Sequence, residues 1–346
     1  MQSPLNNITA EVVDHGGSLG RADMFYPTAP KPWLDLSTGI NAVPYPVPPI
    51  PAAAFERLPE DCMLAELADV AASCYGAPSG MQVVCAPGTQ ILLPMVAGLV
   101  PPGRARVLSP TYAEHRRAAA LCGHSVQDAS TLDQLAGADL AIVVNPNNPD
   151  GRIQNRDELL DLASRLRVTG GILVVDEAFM DVGPIEAAVD PMVEGCNIVV
   201  LRSFGKFFGL AGVRIGFAIC DSALAYTLRS RLGPWVISGT ALTIGITALG
   251  DRAWQDNMRT DLKMRSRRLD NLLEKAGLLI AGGTTLYRYA HHPHAQEVAR
   301  MLGGLGILVR TFAFDPTKLR FGLPAESHEF FRLRDAFEYL ERDLRG

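Results

Sequence analysis

The chain has 346 residues, enough for one large domain and a smaller companion, and its 48% hydrophobic and 20% charged residues suit a globular fold with a buried core. A net charge of −5, with both signs spread along the chain and no basic stripe, argues against nucleic acid as a partner. The six cysteines lack CxxC or other metal spacing, and no apolar stretch reaches the roughly 20 residues of a membrane span, so a reduced cytoplasmic setting away from membranes is expected.

The first residues, MQSPLNNITAEVVDHGG, lack the basic start and apolar core of a signal peptide. Tyr26 to Pro59 is proline-rich and reads as an extended arm, because Trp33, Leu34 and Leu36 need burial. From Gln82 to Phe217, short apolar runs alternate with helical periods, which predicts an α/β fold with a mostly parallel sheet between helices. Val83–Ala86 precedes a helix near Thr89, and Arg106–Leu108 precedes one over Ala113–Leu121. Leu140–Val144, Ile172–Val175 and Asn197–Leu201 read as buried strands. A long helical pattern from Ser238 to Ala276 leads into strand-like segments at Leu286–Tyr289, Ile307–Arg310 and Leu319–Gly322. Helices are expected near Ala295–Leu302 and over Ser327–Leu344. The expected organisation is an arm, 1–50, joining a small domain, a large domain over 51–250, and the small C-terminal domain over 251–346.

The run Ser203-Phe204-Gly205-Lys206-Phe207-Phe208-Gly209-Leu210-Ala211-Gly212-Val213-Arg214 carries the chemistry. An amine in apolar surroundings loses stability as an ammonium and becomes nucleophilic, as a Schiff-base lysine requires. A hydroxyl at Ser203 and a guanidinium at Arg214 beside it suit a ligand with both an aldehyde and a phosphate, such as pyridoxal 5′-phosphate. Alone, the run fits equally well a lysine snorkelling from a glycine-turned loop. Two other strand ends add an amide, in Asn145-Pro146-Asn147-Asn148-Pro149-Asp150-Gly151, and a carboxylate, in Asp176-Glu177-Ala178-Phe179. Ligands of open α/β sheets sit at such carboxyl ends. Ala86-Pro87-Gly88-Thr89-Gln90, where a strand turns into a helix, offers an anion seat as well as an N-cap.

In this order, NPNNPxG, DEAF, SxxK and LAGxRxG resemble the fold-type I pyridoxal-phosphate enzymes, in the histidinol-phosphate aminotransferase-like branch, from about Asp35 to Arg320. The resemblance implies a large domain with a mostly parallel seven-stranded sheet plus a small α/β domain. It makes Lys206 the residue that holds the aldehyde, Asp176 the partner of the pyridine nitrogen and Asn148 that of the ring oxygen, these three being catalytic. It gives the cofactor phosphate to Gly88, Thr89, Gln90, Ser203 and Arg214, and stacks Tyr112 on the ring. Arg310 and Arg320, which from the residues alone read as salt bridges, become substrate clamps together with His15, Gly39 and Asn41.

His15-Gly16-Gly17, followed by Leu34-Asp35-Leu36-Ser37-Thr38-Gly39-Ile40-Asn41, resembles one subgroup, the threonine-phosphate decarboxylases of cobalamin biosynthesis; read by itself, the glycine pair is equally a tail. Phe179 fits this subgroup, whereas most aminotransferases of the branch have tyrosine there. The implied reaction is decarboxylation of L-threonine O-3-phosphate to (R)-1-amino-2-propanol O-2-phosphate. The alternative is an aminotransferase acting on a phosphorylated substrate such as histidinol phosphate. A homodimer is implied, although Leu58 replaces the family's tyrosine that reaches a neighbour's cofactor, and Gly205 replaces a serine. His291, His292 and His294 read as a surface loop, and no metal is expected.

Overall fold

The computed structural model describes residues 15–189 and 197–343. Asp14, the segment before it and Cys196 lie outside the described residues. The chain divides into two compact units, the first holding Tyr45–Asn148 and Arg152–Arg252, the second the described residues up to Pro44, Pro149–Gly151 and Ala253 onward. The chain passes between the units at 44/45, on either side of Pro149–Gly151, and at 252/253. Tyr45 belongs to the first unit because its N–H donates to Phe208 O at 2.8 Å and its hydroxyl to Asp251 Oδ2 at 3.1 Å.

The strands in chain order are β1 (Leu34–Asp35), β2 (Val83–Ala86), β3 (Arg104–Leu108), β4 (Ser125–Ala129), β5 (Leu140–Val144), β6 (Ile172–Asp176), β7 (Ile198–Ser203), β8 (Gly216–Ile219), β9 (Leu279–Thr284), β10 (Tyr287–His291), β11 (Ile307–Leu308), β12 (Arg310–Thr311) and β13 (Lys318–Gly322). The first unit is built on a seven-stranded sheet of order β2-β8-β7-β6-β5-β3-β4. All its pairings are parallel except the two made by β8. β5, β6 and β7 are buried at every position, as expected of central strands covered on both faces. Their register pairs Val144 with Asp176 and Asp176 with Leu201, so the segments that follow leave the sheet side by side.

Helices cover this sheet by their apolar stripes. The helix Thr89–Ala97 turns Leu92, Leu93, Val96 and Ala97 onto sheet residues such as Val107, Ile142 and Leu201. The helix Arg156–Val168 buries Leu159, Leu162, Ala163 and Leu166, a spacing that follows the helical repeat. Asn155 caps it, accepting from Asp157 N at 2.8 Å. The expected pattern from Ser238 to Ala276 is two helices, Gly239–Gly250 and Arg252–Lys275. A buried ionic group follows β6. Arg202 donates to Glu177 Oε2 at 2.8 Å and to Asp181 Oδ1 at 3.2 Å, and stacks on the Tyr75 ring. Glu177 Oε1 accepts from Val189 N at 2.6 Å. The turn after Asp176 is thereby anchored to β7.

In the second unit, an antiparallel sheet runs β12-β13-β10-β9, and β1 pairs in parallel with β11. Leu34 and Leu36 are buried, which accounts for the arm's extended course. Gly322 N donates to Leu36 O at 2.7 Å, tying the arm to the end of β13. Among the described residues, no helix is long and apolar enough to cross a membrane, and no group of three or more His, Cys, Asp or Glu is placed to hold a metal ion.

Candidate active site

The first unit gathers nine of the residues singled out from sequence: Gly88, Thr89, Gln90, Tyr112, Asn148, Asp176, Ser203, Lys206 and Arg214. Asp176 ends β6 and is buried. Its Oδ2 lies 2.8 Å from His115 Nε2, and its Oδ1 accepts from Ala178 N at 3.0 Å. A carboxylate has more lone pairs than these two contacts use, so it still offers an acceptor to a ring N–H. His115 is itself buried, and sequence reading missed it. Its signal was the three-residue spacing from Tyr112 across a helix start, which places both side chains on one helical face.

Of the asparagines after β5, two hold the loop. Asn145 donates to Ala187 O at 3.2 Å and accepts from Gln154 N at 3.0 Å. Asn147 accepts from Thr111 Oγ1 at 2.6 Å and donates to Pro110 O at 3.0 Å. Asn148, half-buried in the turn beyond them, is the position the family pattern assigns to the cofactor.

β7 runs straight into a one-turn helix, Phe204–Phe207, which carries Lys206. The Lys206 ammonium lies 5.7 Å from the centroid of the buried Phe179 ring. Phe204, Phe207 and Phe208 are fully buried around this turn, so the lysine rises from an apolar base.

The anion seat is shaped by backbone. Gly88 has φ +86°, and a Cβ there would collide with the Arg214 guanidinium. A Cβ at Gly216 would collide with the backbone N of Thr89. Gly216 needs to be glycine because the backbone of the helix start comes this close, and Gly88 because of its positive φ. Arg214 is held in the left-handed region, φ 60° and ψ 63°, and donates to Ala211 O at 3.1 Å. The first-turn N–H groups of the helix beginning at Thr89 have no intrahelical acceptor, as at any helix start. The Gln90 side chain is committed to the Tyr112 hydroxyl at 3.0 Å and to Glu114 at 3.1 Å. Burial first, then the Glu114 and Asp176 carboxylates, push the Tyr112 phenol up to about 12.

The second unit holds His15, Gly39, Asn41, Arg310 and Arg320. Ser37 contacts one of them, Arg320, and also the glycine pair that follows His15. Gly17 N donates to Ser37 Oγ at 2.7 Å, and a Cβ at Gly16 would collide with Ser37 O. Arg320 donates to the same carbonyl at 3.0 Å. Arg310 stands opposite Arg320 in the β12–β13 register. The glycine pair is thus packed against the loop that follows β1. Like charges directly opposite on a sheet are unfavourable. Burial, aided by Arg310, pushes the Arg320 guanidinium down to about 10. Asn41 sits on the same loop, where its Oδ1 accepts from Val43 N at 3.0 Å and from Arg265 at 3.3 Å, and Gly39 is buried between.

The aminotransferase class I and II family model matches residues 60–330. The chain belongs to the class I and II aminotransferase family. It is 39% identical over 330 residues to a threonine-phosphate decarboxylase of Sinorhizobium sp, covering 94% of this chain and 98% of that one. It is 40% identical over 327 residues to the threonine-phosphate decarboxylase of Pseudomonas aeruginosa, covering 93% and 96%. Histidinol-phosphate aminotransferase 1 of Trichormus variabilis is 28% identical over 320 residues, covering 85% and 90%. Among solved structures, the histidinol-phosphate aminotransferase of Sinorhizobium meliloti in complex with pyridoxal-5′-phosphate superposes with a TM-score of 0.81, at 20% identity and 98% coverage of both chains. The L-threonine-O-3-phosphate decarboxylase of Porphyromonas gingivalis gives 0.74 at 18% identity, covering 89% of this chain and 99% of that one. At these identities the structures establish the fold, fold-type I.

The residues fit pyridoxal phosphate. The glycine-lined seat facing Arg214 matches a phosphate, the acceptor-only Asp176 matches a protonated ring nitrogen, and Lys206 matches an aldehyde.

Proposed function

We propose that this aminotransferase-family protein decarboxylates L-threonine O-3-phosphate to (R)-1-amino-2-propanol O-2-phosphate, with pyridoxal 5′-phosphate as cofactor. The observation that carries this reading is the continuous set in the second unit, in which Gly17 and Arg320 both bond to Ser37 and Arg310 stands opposite Arg320. Two guanidiniums and a glycine turn suit a doubly anionic substrate. Identities of 39% and 40% over nearly the whole chain to threonine-phosphate decarboxylases support the same substrate.

When bound, pyridoxal phosphate supplies an aldehyde for the substrate amine and a ring that accepts electron density. Gly88, Thr89, Ser203 and Arg214 would hold its phosphate. Asp176, kept in place by His115 and Ala178 N, would keep the proton on the ring nitrogen. Asn148 would donate to the ring oxygen, and Tyr112 would cover the ring face. Lys206 would carry the aldehyde at rest and, once displaced by substrate, return a proton from Nζ to the carbon that lost its carboxylate. Arg320 is assigned the substrate carboxylate, and Arg310 with His15 the distal phosphate, while Gly39 and Asn41 shape the loop around them. These clamps decide the reaction, since only the bond held perpendicular to the ring breaks readily.

A homodimer belongs to the same proposal. Phe55, Leu58 and Trp235 are large apolar side chains left 57–70% exposed on the first unit, and they are the residues proposed to meet a second copy. Work within cobalamin biosynthesis, in the cytoplasm, completes the reading.

The test is incubation with L-threonine O-3-phosphate, measuring CO2 and keto-acid products side by side. CO2 release without amino-group transfer is the expected result. Accumulation of pyridoxamine phosphate would favour the aminotransferase alternative.

A further inference from the structure

Gln90, Tyr112 and Glu114 form a directed chain across the starts of two helices, Thr89–Ala97 and Ala113–Leu121. Glu114 Oε2 lies 3.1 Å from Gln90 Nε2, and Gln90 Oε1 lies 3.0 Å from the Tyr112 hydroxyl. Glu114 is buried, and its Oε2 also receives Arg117 Nη1 at 3.4 Å. An ionised carboxylate can only accept. The amide must therefore turn its NH2 toward Glu114 and its oxygen toward Tyr112. That oxygen, in turn, can only accept, so the phenol must donate to it. The sense of both hydrogen bonds is fixed by chemistry, starting from one carboxylate.

We infer that Gln90 and Glu114 are positioning residues which lock the Tyr112 ring in azimuth and commit its proton, so that Tyr112 presents a fixed face and no free O–H donor to the cofactor. This rests on the reading of the site as a pyridoxal-phosphate site, and it reassigns the Gln90 side chain from the phosphate to the aromatic ring. The other edge of the lock is His115, which meets the Tyr112 ring edge-on, with centroids 6.0 Å apart and planes at 85°, while bonding to Asp176. Tyr112 is thus held at its hydroxyl by Gln90 and along its ring by the same histidine that fixes Asp176. The two protein surfaces assigned to the cofactor ring, its face and its nitrogen, share one support.

The test uses apo-protein reloaded with pyridoxal phosphate alone, following the release rate of the cofactor and the circular dichroism of its bound absorption band, which reports ring orientation. The set is wild type, Tyr112→Phe, Gln90→Ala, Glu114→Gln and the double variant Gln90→Ala/Tyr112→Phe. Tyr112→Phe keeps the ring and removes only the donor, so it stays informative if Gln90→Ala folds poorly. Each single variant is expected to release the cofactor about 2- to 10-fold faster, the scale of one net hydrogen bond, and to change the dichroic band. The double variant is expected to be no faster than the faster single variant, because both break one linkage. Multiplying effects in the double variant, or an unchanged band in all three single variants, would overturn the lock. If wild type itself takes up no pyridoxal phosphate, the reading of the whole site falls, an outcome distinct from wild-type binding with unaffected variants.

Discussion

Lys206, the lysine proposed to hold the aldehyde, takes its setting from its neighbours. Its turn stands on Phe204, Phe207 and Phe208, all fully buried, and its ammonium faces Phe179. Lys206→Ala is expected to lower decarboxylation by about 10²- to 10⁴-fold or more, the range of a lost proton-transfer group, and to abolish the yellow band of the loaded protein. Borohydride should fix the pyridoxyl label on Lys206, and peptide mapping that finds it on another lysine would refute the assignment. Tyr112 titrates far from neutrality. Its phenol is pushed from the ordinary 10.0 up to about 12, so its contribution to stability is complete below pH 10 and is lost as pH rises through 12. Comparing the alkaline unfolding profiles of wild type and Tyr112→Phe should show the difference shrinking only across that window.

At the level of elements, the site depends on where strands stop and helices begin. Gly88 makes the turn from β2 into its helix with a positive φ that a side chain would strain, and Arg214 fills the space a Cβ would need. Gly88→Ala should lower unfolding stability by about 1–3 kcal/mol in a urea titration, and cofactor affinity should fall with it. An ordinary cap gives a reference for this. Asn155→Ala, far from the chemistry, should cost about 1 kcal/mol and leave cofactor binding untouched. Arg202 is the opposite case, a charge buried on β7 and paired with Glu177 and Asp181. Removing it leaves carboxylates buried without their cation, so Arg202→Ala is expected to cost about 3–5 kcal/mol in the same titration. Wild-type stability in that variant would mean the cluster is solvated in the folded protein.

For the whole molecule, assembly and the N-terminal segment are open to direct measurement. Sedimentation at micromolar concentration should show a dimer, and Leu58→Asp should weaken it, since Leu58 is 63% exposed. Deleting residues 1–19 removes the glycine pair that packs on Ser37, and the apparent Michaelis constant for threonine phosphate should rise. Normal kinetics after that deletion would take the substrate phosphate away from this segment.

The sequence by itself determined the fold class and the central strands, and it named the groups proposed for the site. A buried parallel strand is a continuous apolar run, and the residues that work at its end follow it within a few positions. Leu140–Val144 is therefore found as read, and the strand ahead of Lys206 runs on to Ser203. Family membership lay in the same local motifs. Tertiary structure decided which partners neighbouring, chemically identical groups take. Asn145 donates to Ala187 O and Asn147 to Pro110 O. It decided that Gln90 supports a ring, and that His115 stands behind Asp176, 61 positions further along the chain. It also decided that Gly16 and Gly17 are packed against Ser37. Hydrogen-bond partners of this kind are set by approach in space between distant segments, and neither periodicity nor composition along one segment encodes that approach.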